Sequence, residues 1–212
     1  MKWEEFLEIA HNLPVIDTEL LLTGVAKPDA VRVQVSRWEK AGKLIQIKRG
    51  LYLLSPIYRK ADVCEPYISF VIKMPSYISL EKALEYHGLI PEAVPVYTCV
   101  TTKRTGKFSS PIGTFRYYHV NSSLFWGYEA ITINRQTAFM ALPEKALLDM
   151  FYLKDIIVTY NYIEEMRLEN MDKINIDRLL DFSKRFKKPA ISNAAKITSR
   201  YITSCINKEQ TL

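Results

Sequence analysis

The chain has 212 residues, of which 48% are hydrophobic, and a formal net charge of +6. This length allows one large domain or two small ones with a buried core, and the composition does not favour a disordered chain. No apolar run is long enough to span a bilayer, and the acidic start MKWEEFLEIAHNL is unlike a signal peptide. The three cysteines are scattered without CxxC spacing, which predicts neither disulfides nor a zinc site. We therefore expect a cytoplasmic protein that has no membrane partner.

The positive charge is concentrated in one stretch. Residues 28–60 carry eight Lys or Arg against two Asp or Glu, an excess equal to the net charge of the whole chain. A localised basic stripe is the electrostatic pattern expected of a nucleic-acid contact, because phosphate binding releases counterions whatever the base sequence. If the protein contacts nucleic acid, we therefore expect the contact in the elements formed by residues 28–60.

The first 44 residues predict three helices. Apolar residues recur at helical spacing from Trp3 to Leu13, where Pro14 stops the run. A second short helix, TELLLTGVA, can be capped by Asp17 or Thr18 and should end near residues 24–27. A third begins at Pro28 and closes at Gly42, a typical residue for a helix C-terminus.

The third helix has two distinct faces. Its apolar face carries Val31, Val35 and Trp38, which we expect to pack inward. The opposite face is polar and cationic and is the length of element that enters a DNA major groove. It consists of Asp29, Val33, Ser36, Arg37 and Lys40, with Arg32 at its edge.

The segment KLIQIKRGLYLL, residues 43–54, predicts a β-hairpin with a basic tip, because Gly50 permits a tight reversal between two apolar runs. Three helices followed by a hairpin form a winged helix-turn-helix, whose wing would lie beside the same DNA. The predicted DNA-binding residues are Arg32, Val33, Ser36, Arg37, Lys40, Lys43, Lys48 and Arg49. Helix-turn-helix patterns also occur in protein-interaction modules, and surface cations are often merely solvated, so these alternatives stay open.

A second domain should follow the proline-flanked link at residues 55–66. The run PYISFVIKM is ambiguous between strand and helix, whereas SLEKALEYHGL predicts a short helix capped by Ser79 and ended by Gly88. Residues 96–103 and 114–120 alternate like strands, and we expect them to pair through an intervening strand, KFSS.

The remaining elements alternate in type and then become helical. A further strand, YEAITINRQ, precedes a helix that begins at Pro143 and buries its apolar face. Three helices are predicted after Lys154, the last opened by Pro189. The expected fold is therefore α+β: a winged helix-turn-helix domain at 1–58 and a second domain at 59–212, with a mixed α/β core at 59–153 and a helical tail at 154–212.

The sequence contains no catalytic fingerprint. It has no glycine-rich phosphate loop, nucleophile elbow or aspartate-rich metal loop, and its three histidines lack partners at metal-ligand spacing. The most enzyme-like group is Glu144, Lys145 and Asp149, for which helix capping and surface ion pairs are the favoured explanation. We therefore expect no enzymatic activity, metal or cofactor, with a nuclease or nucleotidyltransferase that uses Glu144 and Asp149 as the rival.

A second polar and cationic edge follows the strand at 96–103. Its residues are Thr101, Thr102, Lys103, Arg104 and Lys107. A solvated turn and a surface that binds nucleic acid or an acidic protein remain equally open for this segment.

Several of these segments together resemble the AbiEi antitoxin family over about residues 1–153. The resemblance lies in the basic wing ending in Gly-Leu-Tyr, the helix YISLEKALEYHGLIPE, the strand end TTKRT and the helix PEKALLD. It implies a regulator of a type IV, abortive-infection toxin-antitoxin system. The implied recognition helix is residues 28–42, and the implied wing is residues 44–54.

The resemblance also implies partners. An AbiEi-like protein would repress its own operon by binding operator DNA, and its C-terminal domain would help to neutralise a nucleotidyltransferase toxin of the AbiEii type, directly or indirectly. An ordinary winged-helix regulator and an interaction adaptor that has no toxin partner remain the alternatives.

Overall fold

The computed structural model describes residues 1–23 and 28–209, with side chains as far as Asn207. The predicted end of the second helix, near residues 24–27, lies outside this part of the chain. Helices and strands in the described residues form an α+β fold, as predicted. The helices are α1 (Trp3–Ala10), α2 (Thr18–Leu21), α3 (Pro28–Lys40), α4 (Glu65–Ile72), α5 (Leu80–Tyr86), α6 (Pro143–Leu153), α7 (Tyr160–Glu165), α8 (Ile176–Arg185) and α9 (Pro189–Glu209).

The strands form two sheets. They are β1 (Ile16–Asp17), β2 (Leu44–Lys48), β3 (Leu51–Leu54), β4 (Ser76–Ile78), β5 (Val96–Thr101), β6 (Gly106–Ser110), β7 (Gly113–His119), β8 (Tyr128–Ile133) and β9 (Gln136–Ala141). The first sheet has the order β1-β3-β2 and is antiparallel, and the second has the order β6-β7-β5-β4-β9-β8. The ambiguous segment PYISFVIKM lies mostly in α4, so it is helical.

Local capping explains the N-terminal elements. Of the two candidate caps for α2, Asp17 is the one that accepts a hydrogen bond, from the backbone N–H of Glu19 at 2.9 Å. The hydroxyl of Thr18 instead donates to the carbonyl oxygen of Gly50 at 3.0 Å and ties α2 to the hairpin turn. Helix α3 ends as predicted, because Gly42 has a φ of +70° and the next residue, Lys43, donates its backbone N–H to the Trp38 carbonyl oxygen.

The buried hydrophobic residues form two clusters. The smaller one contains the predicted inward face of α3, which is Val31, Val35 and Trp38. The centre of the Trp38 ring lies 4.6 Å from the centre of the Phe6 ring in α1. The larger cluster lies between the six-stranded sheet and the later helices. The hairpin contributes to both, because Leu54 belongs to the smaller cluster and its neighbour Leu53 to the larger.

The six-stranded sheet differs from the predicted pairing. Strands β5 and β7 pair directly and in parallel, and the KFSS strand, β6, pairs antiparallel with the outer side of β7. The expectation that KFSS lies between the two was wrong. Strand order depends on contacts far apart in sequence, which alternation of apolar residues does not encode.

The three helices predicted after Lys154 are present as α7, α8 and α9, and Pro189 opens the last. Helix α6 is more deeply buried than its apolar pattern predicts, since all residues from Pro143 to Phe151 are buried. Within residues 1–23 and 28–209, no helix has the length and apolar content needed to cross a membrane.

Candidate nucleic-acid interface

The predicted polar strip of α3 lies on the surface of the protein. Its members are all exposed, including Val33, of which half is accessible: Asp29, Arg32, Val33, Ser36, Arg37 and Lys40. Arg32 lies 3.0 Å from the Asp29 carboxylate and 3.7 Å from that of Glu19. Among the described residues neither Arg37 nor Lys40 has an ion-pair partner. Two cations on one helix face are therefore available to an external anion.

A groove runs beside this strip, between α3 and the hairpin. It has a volume of about 680 Å³, and its walls include Arg32 and Ser36 from α3 and Arg49 from the hairpin turn. Because Arg32 forms only exposed ion pairs, which contribute between 0 and about 1 kcal/mol, a phosphate group could replace them at little cost. The groove thus joins the strip to the hairpin tip.

The three predicted cations of the hairpin have different surroundings. The Lys43 Nζ lies 4.5 Å from the centre of the Trp3 ring, where cation and ring attract each other. The Lys48 Nζ donates a hydrogen bond to the carbonyl oxygen of Ile72, at the end of α4, at 2.9 Å. Arg49 alone of the three is exposed. Lys48 thus faces the larger hydrophobic cluster, to which Ile72 belongs. Its ammonium group still has two further protons to donate.

The second predicted surface lies where β5 ends. Thr101 is fully buried: its hydroxyl donates to the Pro75 carbonyl oxygen at 2.7 Å and accepts from the backbone N–H of Lys103 at 3.1 Å. Lys103, Arg104 and Lys107 are exposed, and Thr102 is half-buried. Thr101 therefore positions this strand end and does not form part of its surface.

Sequence reasoning missed one cation of this region. Lys73 follows α4, and its Nζ donates to the Arg104 carbonyl oxygen at 2.6 Å. Its pKa is lowered, first by burial and then by the positive charges of Lys48 and Lys103. No sequence pattern joins residues 48, 73 and 103, because tertiary packing alone brings them together.

The charged residues of α6 form a buried network, so the predicted surface ion pairs of Glu144, Lys145 and Asp149 are wrong. All three side chains are fully buried. Lys145 donates to Oδ1 of Asp149, while the hydroxyls of Tyr77 and Ser79 donate to Oδ2 at 2.9 and 2.8 Å. The sequence predicts that the Ser79 side chain caps α5, and this prediction is wrong. The Ser79 hydroxyl makes no capping hydrogen bond and donates to Asp149 instead.

Aromatic rings enclose the Lys145 ammonium group. The Nζ lies 4.8 Å from the centre of the Trp126 ring, 4.9 Å from that of Phe186 and 5.6 Å from that of Tyr77. Burial lowers the pKa of Lys145, although the Asp149 charge opposes this effect, and burial raises the pKa of Tyr77. The rings and the carboxylate together replace the water that a surface lysine would have.

The Glu144 carboxylate is also occupied. Its Oε1 accepts from the backbone N–H of Asn175 at 2.6 Å, and its Oε2 lies 3.0 Å from Nε of Arg178. Both carboxylates that the rival enzymatic interpretation needs are thus engaged by the protein itself. Among the residues described, no group of three or more His, Cys, Asp or Glu side chains is arranged to hold a metal ion.

No protein-family model matches this chain, and no curated protein matches it.

Proposed function

We propose that this protein is a DNA-binding transcriptional regulator whose helix α3 enters the major groove of operator DNA. The observation that carries the proposal is the exposed α3 strip, in which Arg37 and Lys40 have no ion-pair partner among the described residues. A helix of this length fits into a major groove, and its exposed cations complement the negative charge of the DNA backbone. Three of the eight cations in the basic stripe, Arg32, Arg37 and Lys40, lie on this α3 surface.

The hairpin supports a winged helix-turn-helix for residues 1–58. It follows α3 directly, and its turn presents Arg49 to solvent beside the groove that borders α3. In this arrangement Arg37, Lys40 and Arg49 contact phosphates, while Arg32, Val33 and Ser36 approach base edges. We assign weaker roles to Lys43 and Lys48, since each already has an intramolecular partner.

The resemblance to the AbiEi family makes the proposal more specific. The protein would repress its own operon as a type IV antitoxin in the cytoplasm, and residues 59–212 would counteract a nucleotidyltransferase toxin. We propose no catalytic activity and no cofactor for it, because the Glu144 and Asp149 carboxylates serve as buried hydrogen-bond acceptors.

A mobility-shift titration on the promoter fragment upstream of its gene tests the DNA-binding proposal. The R37A/K40A double variant should bind more weakly, and the slope of log K against log salt should fall by about 2, since each phosphate contact contributes about 0.9. K196A/R200A is a matched control, because it removes the same charge from exposed positions on α9. Circular dichroism should show that both variants keep the fold.

Equal affinity and equal salt slope for the wild-type protein and R37A/K40A would refute the role of α3.

The antitoxin part needs a separate test, in which the protein is co-expressed with a nucleotidyltransferase encoded next to its gene. Rescue of growth would support this part. DNA binding without rescue would favour an ordinary regulator, and rescue without DNA binding would favour an interaction adaptor.

A further inference from the structure

One large apolar side chain of α3 faces solvent. Val33 is 50% exposed, whereas the other two valines of the helix, Val31 and Val35, are buried in the smaller cluster. The structure describes all of Pro28–Lys40, and within this helix Val33 is the one large hydrophobic residue that is exposed. Packing within the protein therefore does not account for this residue.

Helix formation does not account for Val33 either. A β-branched side chain loses χ1 freedom in a helix, so valine favours an exposed helical position less than alanine, lysine or glutamate does. A single apolar side chain at a protein surface is common and by itself needs no partner. What distinguishes Val33 is its position in the α3 strip.

Val33 lies at the middle of the strip. Its neighbours one turn away on the same face are Asp29 towards the N-terminus and Ser36 and Arg37 towards the C-terminus, and all three are exposed. Helix α3 has 13 residues and is therefore about 20 Å long, whereas a major groove is about 12 Å wide. A strip that enters the groove places its middle near the base edges and its ends near the phosphates that border the groove.

The chemistry of a valine side chain selects one base. In the major groove only thymine presents an apolar substituent, its C5 methyl group, whereas adenine and cytosine present amino donors and guanine presents two acceptors. The two methyl groups of valine can pack on the thymine methyl group and exclude water from it. Against another base they would cover a polar group without supplying its hydrogen bond, which is unfavourable. Valine in a helix also has one strongly preferred χ1 rotamer, so little side-chain entropy is lost on contact.

We propose that Val33 contacts the C5 methyl group of a thymine in the operator and so determines sequence specificity at that base pair. This inference rests on the proposed function, in which α3 enters the major groove. It supplies what Arg37 and Lys40 do not, because phosphate contacts position a protein on DNA without reading its sequence.

Uracil substitution tests the contact, because deoxyuridine pairs as thymidine does but lacks the C5 methyl group. The full chain is titrated by mobility shift against the promoter fragment upstream of its gene, with each thymine of the footprint replaced singly by deoxyuridine. At one thymine for each bound α3, the replacement should weaken binding by the wild-type protein about fourfold, the value expected for loss of one buried methyl group. The salt slope should stay unchanged, since no phosphate contact is lost.

The V33A variant provides the other half of the test. It removes both γ-methyl groups of Val33, and alanine is the better helix former, so the fold is retained and circular dichroism should be unchanged. V33A should bind the unmodified fragment between about threefold and tenfold more weakly than the wild-type protein does. Deoxyuridine at the same thymine should then weaken V33A by less than about twofold, because the two changes remove one shared contact.

The matched control is I157A, which removes an exposed aliphatic side chain outside α3, at a residue that is 87% exposed. I157A should bind the unmodified fragment as the wild-type protein does. It should also keep the full effect of deoxyuridine at the same thymine.

The outcomes separate this inference from the proposed function. The inference is wrong if V33A binds as the wild-type protein does, if deoxyuridine weakens V33A and the wild-type protein equally, or if no single replacement weakens the wild-type protein. In each of these cases weaker binding and a lower salt slope for R37A/K40A would still support DNA binding by α3. If R37A/K40A also matches the wild-type protein, the proposed role of α3 fails and this inference fails with it.

Discussion

Replacement of Lys145 by methionine should strongly destabilise the protein. Methionine keeps an apolar side chain of similar length against Trp126 and Phe186, but it leaves the fully buried Asp149 carboxylate without a positive partner. Removal of one member of a buried ion pair generally costs about 3–5 kcal/mol. We therefore expect a loss of about 3–5 kcal/mol.

The hydrogen bonds of Asp149 predict how combined variants behave. In K145M/D149L both charges are gone, but the buried hydroxyls of Tyr77 and Ser79 lose their acceptor, and each unsatisfied group costs about 1–3 kcal/mol. The double variant should therefore remain about 2–6 kcal/mol less stable than the wild-type protein. Adding Y77F and S79A removes the stranded hydroxyls, so the quadruple variant should recover stability relative to the double variant.

Urea unfolding monitored by tryptophan fluorescence measures these differences, since the Trp126 ring lies beside Lys145. The control is K196M, at an exposed position on α9, which should change the free energy of unfolding by less than about 0.5 kcal/mol. The reasoning is refuted if K145M stays within about 1 kcal/mol of the wild-type protein. It is also refuted if the quadruple variant is less stable than the double variant.

Two further predictions concern glycine and cysteine positions. G127A should cost about 2–4 kcal/mol of unfolding free energy in urea, because an added Cβ would lie 3.1 Å from Cγ of Lys145 at a φ of +76°. G42A has a similar φ of +70° but open space around the added Cβ, so it should lose only about 1–2 kcal/mol, and equal losses would contradict the steric argument. With a thiol reagent at pH 8, half-exposed Cys205 should react first, while burial raises the pKa of Cys99 to about 12 and should protect it until the protein unfolds. A fast-reacting thiol that persists in C205S would contradict this.

Periodicity and capping rules predicted the N-terminal elements well because those features are local. The spacing of Val31, Val35 and Trp38 identified the buried face of α3, and Gly42 marked its end. The same rules placed Lys48 at the basic tip of the hairpin, where it could meet DNA, whereas its ammonium group donates to the Ile72 carbonyl oxygen, 24 positions along the chain. A hydrogen bond to a distant backbone group leaves no signal in the local pattern.

The charged residues of α6 show the limit of sequence reasoning most clearly. An acid in the first turn of a helix and a Lys–Asp pair four residues apart are typical of an exposed surface. Lys145 and Asp149 are nevertheless buried, because Tyr77 and Ser79 supply donors from about 70 positions earlier and aromatic rings enclose the ammonium group. Whether a charge can be buried depends on partners that only the tertiary structure brings to it.

The hairpin joins the two hydrophobic clusters. Successive side chains of a strand point to opposite faces, yet all four residues of β3 are buried, so both of its faces are covered. Tyr52 and Leu54 pack into the smaller cluster, and Leu53, with Ile47 of β2, packs into the larger one. The predicted domain boundary after residue 58 therefore follows a hairpin that both clusters share. Because Leu53 belongs to one cluster and its neighbours Tyr52 and Leu54 to the other, the two clusters are joined by β3 as well as by the link at residues 55–66.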